Sequence, residues 1–309
     1  MVPTALRLWG LEDAQWSLVA TRENHVFKVS TDDGRDFALR IHRRAFRSDA
    51  ELTSELAWMG ALSAGGLHVP APIAALDGGF LHRVEGAQID VLSWLPGGPL
   101  GATGKPLDLA NRQAVFHQVG VEMARLHALS DAWTPPAGFD RWSWDRHGLL
   151  GEQPVWGRFW DNPALTPEDK ALFETARDHA TRQLSEMEDT LDYGLIHADL
   201  VRENLILDGD RVQMIDFDDG GWGFRIFDLA TFLFKNRAEP DFDDLAAACI
   251  SGYQSQRAIN TDALALFMML RALTYVGWIM DRMGEDGSEA RNTRFIATAR
   301  SLVKQHLRA

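Results

Sequence analysis

Ile196-His197-Ala198-Asp199-Leu200-Val201-Arg202-Glu203-Asn204-Leu205-Ile206-Leu207, followed by Met214-Ile215-Asp216-Phe217-Asp218, is the stretch from which the rest of this 309-residue chain is read. An Asp is followed five residues later by an Asn, and twelve residues beyond that comes a second Asp at the end of a β-prone run. Such a set suits chemistry in which one carboxylate meets a hydroxyl, while a carboxamide oxygen and a second carboxylate hold magnesium against ATP phosphates. The bland alternative is an acidic turn between two strands, with Asn204 and Asp208 as turn formers. Two motifs in this order, each bordered by apolar strand residues, favour the chemical reading.

N-terminal to this stretch the chain reads as strands with one helix. Residues 16–20, 25–30 and 36–42 are β-prone, and the turn Asp32-Asp33-Gly34 makes the second and third a hairpin. A helix opens at Ser48, which has capping-box spacing to Glu51. It carries Leu52, Leu56, Met59 and Leu62 on its buried face, and Gly65-Gly66 ends it. Further strands are expected over 72–76 and 80–84, then the run 88–95. Pro96-Gly97-Gly98-Pro99 is the strongest breaker and sets a domain boundary, giving domains 1–95 and 96–309. Beyond it helices are expected over 107–129, over 167–188 (Thr166 as N-cap, Pro167 at the first position), and from Arg225 onward.

With 46% hydrophobic and 24% charged residues the chain is neither disordered nor fibrous. A net charge of −13 argues against a protein that coats nucleic acid. The single cysteine, Cys249, forms no internal disulfide and reads as a small buried hydrophobe. Residues 1–10 lack the apolar core of a secretory signal. Residues 263–280 are mostly apolar, yet they include Arg271, Thr274 and Gly277 and read as a buried helix. The expectation is a cytoplasmic protein with no nucleic-acid or membrane partner and an open oligomeric state. Neither H-E-x-x-H nor G-x-S-x-G occurs.

The string HADLVREN has the spacing of the kinase loop H-R-D-L-x-x-x-N, and Asp216-Phe217-Asp218 stands where kinases have D-F-G. With the strand–helix order before it, the chain resembles, from about residue 16 to 275, the aminoglycoside phosphotransferase, choline kinase and homoserine kinase group. The resemblance implies an α+β, bilobal protein-kinase-like fold, with a small antiparallel-sheet N-lobe carrying one helix and a larger, mainly helical C-lobe. It also implies ATP held between the lobes and Mg2+-dependent transfer of the γ-phosphoryl group. By position, Asp199 looks like the base, Asn204 and Asp216 like magnesium ligands, and His197 like a structural residue of the loop. Asp228 resembles the helix-start carboxylate that orders the loop, with a plain N-cap as the open alternative. Arg40 takes the place of the strand lysine, with Glu55 as partner in preference to Glu51, which the capping box occupies. No G-x-G-x-x-G is present, so residues 21–24, including the polar Asn24, would cover the phosphates. Ser93 and Leu95 bound the implied adenine hinge. Position 201 is Val rather than the protein-kinase lysine, and Arg202 is a substitute for that charge or else a solvated loop residue.

Only twelve residues separate Asp216 from Asp228, and no A-P-E follows, so a peptide-holding activation segment has no room. That favours a small-molecule acceptor, and the resemblance implies a homoserine-like amino acid first, an aminoglycoside or choline-like alcohol second. A serine/threonine protein kinase and a non-catalytic nucleotide-binding regulator are the alternatives. Asp218 either joins the metal site, faces a substrate amine, or is a turn residue. Trp156 and Arg158 either wall an acceptor pocket, where aromatics suit a cation, or pack a tryptophan-rich loop.

Overall fold

The computed structural model describes residues 1–21 and 24–308. Helix α1 (Val2–Leu8) precedes strands β1 (Gln15–Thr21), β2 (Asn24–Ser30) and β3 (Asp36–His42). Next come α2 (Asp49–Ala64), β4 (His82–Val84), β5 (Ala87–Ser93), β6 (Gly98–Pro99), α3 (Arg112–Ala132) and β7 (Ser143–Trp144). They are followed by α4 (Arg146–Leu150), α5 (Pro167–Met187), β8 (Tyr193–Ile196), β9 (Leu205–Asp208), β10 (Arg211–Met214) and β11 (Gly221–Phe224). The chain closes with α6 (Arg225–Asn236), α7 (Phe242–Gln254), α8 (Leu264–Trp278) and α9 (Ser288–His306). An antiparallel sheet region followed by a mainly helical part makes this an α+β, protein-kinase-like fold. Two compact units are present. One comprises Met1–Leu100, Ala128–Arg141 and Asn204–Asp218; the other comprises Gly101–His127, Trp142–Glu203 and Asp219–Ala309.

In the first unit a five-stranded antiparallel sheet has the order β1-β2-β3-β5-β4. Side chains alternate along a strand, and this one property sorts the sequence of β3. Phe37, Leu39 and Ile41 join Ile89 and Val91 of β5 against Val2, Leu6 and Trp9 around α1. Arg40 and His42 therefore occupy the other face, where Arg40 stands directly across from Asp90. Ser48 caps α2 through both capping-box bonds: Glu51 N–H donates to Ser48 Oγ at 3.1 Å, and Ser48 N–H to Glu51 Oε2 at 2.6 Å. That helix buries Leu52, Leu56, Met59 and Leu62, and also Glu55 and Trp58. A three-stranded sheet, β10-β9-β6, completes the unit.

Two local expectations are corrected here. Residues 72–76 form a single bridge, Pro72 to Leu92, because prolines at 70 and 72 remove the donors a ladder needs. The strand expected over 80–84 shortens to β4. Helix α1 was not read from the sequence: seven residues burying only Val2, Ala5 and Leu6 give too little periodicity to detect.

The second unit is built on helices around Trp144, Phe159, Phe173, Phe227 and Phe267, with a small sheet of order β7-β11-β8. Residues Leu264–Arg282, with a mean hydropathy of 1.4, are long and apolar enough to cross a membrane by composition; 67% of that window is buried inside the protein. Cys249 is fully buried, and burial pushes its thiol pKa up. At Gly277 of α8 a Cβ would collide with the Trp156 carbonyl, so the residue type allows the tryptophan loop to seat on the helix.

Replacing Ser48 by Ala is expected to destabilise the protein by about 1 kcal/mol, the usual worth of an N-cap hydroxyl. Urea denaturation measures it, and an unchanged midpoint would show that α2 does not depend on its cap.

Candidate active site

In the first unit, cross-strand register delivers Arg40 to Asp90. Its Nε and Nη2 donate to Asp90 Oδ1 and Oδ2, each at 2.8 Å, and Nη1 donates to Glu55 Oε1 at 2.7 Å. The second Glu55 oxygen lies 3.7 Å from Nη1 of Arg141. Two guanidiniums thus face two carboxylates out of water, which a buried ionic set requires. Burial opposes charge on Asp90, but Arg40 and His42 outweigh it and lower its pKa to about 2. The same contest, burial against Arg40 and Arg141, leaves Glu55 below its ordinary value. Burial disfavours the Arg40 cation, yet Asp90 and Glu55 raise its pKa. His42 continues the chain of contacts, with Nε2 2.7 Å from Asp90 Oδ2 and Nδ1 3.0 Å from Asn24 Oδ1. Arg22 and Glu23, within the segment 21–24 expected to cover the phosphates, lie outside the described residues.

The same unit holds the Asn204 and Asp216 pair. Ile215 N–H donates to the Asn204 carbonyl at 2.9 Å, so the carboxamide and the Asp216 carboxylate rise from neighbouring backbone positions. Asp216 has φ +68, a left-handed conformation that non-glycine residues seldom hold unaided. The residues after it are clamped: Arg141 Nη2 donates to the carbonyls of Phe217 at 3.0 Å and Asp218 at 2.5 Å. The Phe217 ring meets Trp58 of α2 edge-on at 5.2 Å. A carboxamide and a carboxylate are hard oxygen donors, and Mg2+ commonly takes one or two of these and leaves its other positions to phosphate and water, so the pair fits that ion. Asp218 is instead engaged by Arg47, whose Nη2 lies 3.2 Å from Oδ2. Ser93 bonds Ala71 twice, through its N–H and its Oγ, both at 2.8 Å. The backbone of Leu95 makes no hydrogen bond among the described residues.

In the second unit β8 runs into His197, which is fully buried and whose Nδ1 accepts from Asp199 N–H at 3.3 Å. Ala198 has φ +63. Its N–H donates to Asp228 Oδ1 at 2.6 Å, the His197 N–H donates to Asp228 Oδ2 at 2.8 Å, and its carbonyl accepts from Arg271 Nη1 at 3.1 Å. Asp228 is therefore no N-cap; Phe224 holds that position, and the carboxylate serves the loop. Burial pushes the Asp228 pKa up, but the His127 hydrogen bond reverses that and leaves it lowered. Burial and the nearby Arg225 lower His127 to about 4, so its imidazole is neutral at pH 7. A neutral ring has one donor and one acceptor: Nε2–H to Asp228 Oδ2 at 3.1 Å, and Nδ1 taking the Tyr253 hydroxyl at 2.7 Å.

Asp199 Oδ1 accepts from Arg271 Nη2 at 2.5 Å. Arg271 is wholly buried on α8, donates to the Tyr275 hydroxyl at 2.8 Å, and lies 4.4 Å from the ring centres of both Trp156 and Tyr275. The Trp156 indole donates to Asp219 Oδ1 at 3.1 Å, while the indoles of Trp142 and Trp144 both donate to the Asp219 carbonyl at 2.9 Å.

Two expected contributors are placed elsewhere. Arg202 is not a solvated loop residue: it is buried, and its three nitrogens are taken by Asn236 Oδ1, the Lys105 carbonyl and Glu239 Oε1. Three of its five N–H donors are thus spent on oxygens of the second unit. Arg158 pairs with Asp161 at 2.9 Å and Glu152 at 3.8 Å, and among the described residues it shares no ion pair or ring contact with Trp156.

The model of the phosphotransferase enzyme family matches residues 17–267. The chain belongs to that family. This phosphotransferase is similar to the amicoumacin kinase of Bacillus subtilis, with 25% identity over 91% of this chain and 86% of that protein. It is also similar to the homoserine kinase of Gluconacetobacter diazotrophicus, with 31% identity over 78% of this chain and 71% of the relative. Among solved structures it is similar to a microcompartment-associated aminopropanol kinase, with a TM-score of 0.85, 29% identity, and coverage of 99% and 96% of the two chains. It is accordingly a small-molecule kinase, a phosphotransferase with a hydroxyl acceptor.

Four residues that contact candidate site residues of this phosphotransferase were missed in the sequence: Asp90 beside Arg40, Arg141 beside Glu55, Asp219 beside Trp156 and Arg271 beside Asp199. Arg271 left a signal, a lone cation in an apolar run, and so did Asp90, a lone carboxylate among Ile89, Val91 and Leu92. Arg141 and Asp219 lie in loops and left none.

His127 gives this phosphotransferase an acid-sensitive step. Below pH 6.5 the unfolded chain binds a proton there that the folded protein refuses until about pH 4, so stability falls as pH drops through that window. The loss attributable to His127 is about 2 kcal/mol at pH 5 relative to pH 7. His127→Gln, which keeps a neutral donor for Asp228, should flatten urea-measured stability over this range; an unchanged slope would contradict the assignment.

Proposed function

We propose that this kinase transfers the γ-phosphoryl group of ATP, with Mg2+, to the hydroxyl of a small amino alcohol, with a homoserine-like amino acid as the second acceptor. The observation that carries the proposal is the contrast at Asp199. Its side chain is 22% exposed, whereas Arg271, which it bonds, is at 0%. A carboxylate turned toward solvent by buried supports is what a base needs in order to meet a hydroxyl in one orientation. In this reading Asp199 takes the hydroxyl proton, and His197 and Asp228 shape its loop. Asn204 and Asp216 hold Mg2+, which when bound draws negative charge from the phosphates. Nucleotide binding falls to Arg40 with Glu55, to Asn24, and to the backbone at Ser93 and Leu95. Residues 1–95 then serve the nucleotide, 96–309 carry the catalytic loop, the metal site and the acceptor pocket, and the cytoplasm is the compartment proposed.

The acceptor class is inferred from similarity to an aminopropanol kinase, which ranks the amino alcohol ahead of homoserine. The partly exposed Asp199 carboxylate and the carboxylate of Asp219, which accepts from the Trp156 indole, are acidic groups that suit an ammonium.

Mg2+-dependent ADP release tests the proposal with 1-amino-2-propanol, ethanolamine, choline, homoserine, threonine and an aminoglycoside. Release stimulated by an amino alcohol is expected, and Asp199→Asn should lower kcat by about a hundredfold or more. Asp216→Ala should abolish the Mg2+-dependent part of ATP binding. A flat panel, or full activity of Asp199→Asn, would refute the reading.

A further inference from the structure

We infer that Arg271 is the positioning residue of the base, fixing both the backbone and the carboxylate of the loop at Asp199; the inference rests on the reading of Asp199 given above. A guanidinium wholly out of water on an apolar helix has a large desolvation cost, and a buried ion pair seldom recovers more than that cost. Leu or Met at this position would fill the space without any charge, so packing alone does not account for an arginine. What the arginine adds is a rigid fork. Nη1 holds the carbonyl of Ala198 at 3.1 Å and Nη2 holds Oδ1 of Asp199 at 2.5 Å, so one planar group grips consecutive residues. Asp228 holds the N–H of the same Ala198 at 2.6 Å. The left-handed conformation at Ala198 is thereby restrained from both sides, and the direction in which Asp199 leaves the loop is restrained with it.

The fork is itself immobilised. The Tyr275 hydroxyl accepts from Nη2 at 2.8 Å, and the rings of Trp156 and Tyr275 each lie 4.4 Å from the guanidinium carbon. Gly277 allows the Trp156 backbone to approach α8 closely enough for this. Arg271 thus acts through Asp199, without a role in holding nucleotide.

A double-mutant cycle on kcat, with KM for ATP and for 1-amino-2-propanol, tests the inference in the full chain. Arg271→Met should lower kcat by about a hundredfold, the scale expected when a reacting group is misplaced by about 1 Å. KM for ATP should stay unchanged, and Arg271→Lys should recover part of kcat. On an Asp199→Asn background, measured in single turnovers with enzyme in excess, Arg271→Met should have no further effect. A merely structural arginine would lower activity equally on both backgrounds, and that result, or a wild-type kcat for Arg271→Met, would overturn the inference. A rise in KM for the amino alcohol with kcat unchanged would also overturn it, making Arg271 an acceptor contact. If Arg271→Met does not fold, Tyr275→Phe takes its place. Loss of the hydroxyl that anchors the fork should lower kcat in the same non-additive way, and full additivity would overturn the inference. An active Asp199→Asn would instead sink the underlying reading of the base.

Discussion

A carboxylate sealed from water at Asp228 organises the second unit. It accepts two consecutive backbone N–H groups, from His197 and Ala198, and a third bond from His127. An ionised carboxylate without such partners would cost several kcal/mol, so the elements that supply them cannot drift apart. That requirement fixes the start of α6 beside the end of β8, brings α3 in through His127, and brings α7 in through Tyr253, whose hydroxyl completes the imidazole's bonding. The course of the loop into Asp199 is thus set by a residue twenty-nine positions further along the chain.

The first unit answers the same need with different residues. Arg141 is buried, and its guanidinium reaches Glu55 on α2 and the carbonyls of Phe217 and Asp218. In each unit, then, a buried charge ends on the backbone next to a non-glycine residue with positive φ, Ala198 in one and Asp216 in the other. Such conformations cost of order 1–3 kcal/mol each and persist only where their surroundings over-determine them. Both strained residues lie within one position of a carboxylate assigned a chemical role. The short chain from Asp216 to Asp228 is occupied by β11, which pairs with β7 and β8.

Much of this was legible in the sequence, and the division has a physical cause. Local chemistry is written locally: the capping box at Ser48 and Glu51, the proline start of α5, and the Asp-Asn-Asp spacing can each be read within twenty residues or so. The partner of Arg40 was legible as well, because assigning Glu51 to the cap left Glu55 as the mid-helix acid. What could not be read were contacts between distant segments made by residues of ordinary appearance. Arg202 lies in a loop motif, and nothing near it announces Glu239 or Asn236. Arg158 packs over Trp160 and pairs with Asp161, and nothing in the local sequence separates that from a contact with Trp156. Arg271 could be noticed as a cation in an apolar helix, but its target seventy-two residues earlier had no local signature.

On β3 an arginine stands where the resemblance implies a lysine, and the geometry of its side chain reaches several other residues. An ammonium has three donors around a point and is satisfied by one carboxylate and its surroundings, whereas a guanidinium spreads five donors in a plane. Buried on β3, Arg40 directs three of its nitrogens at protein oxygens, and Glu55 can meet only one. The second carboxylate, Asp90, lies at the position register places directly opposite, on the face that strand alternation keeps away from the apolar core. Asp90 in turn faces His42, the next residue on that side of β3, and His42 reaches Asn24. Lysine at position 40 would leave Asp90 without its bidentate partner inside the protein. Arg40 and Asp90 are therefore one unit of structure, and the residue that replaces the lysine carries its own counter-charge with it.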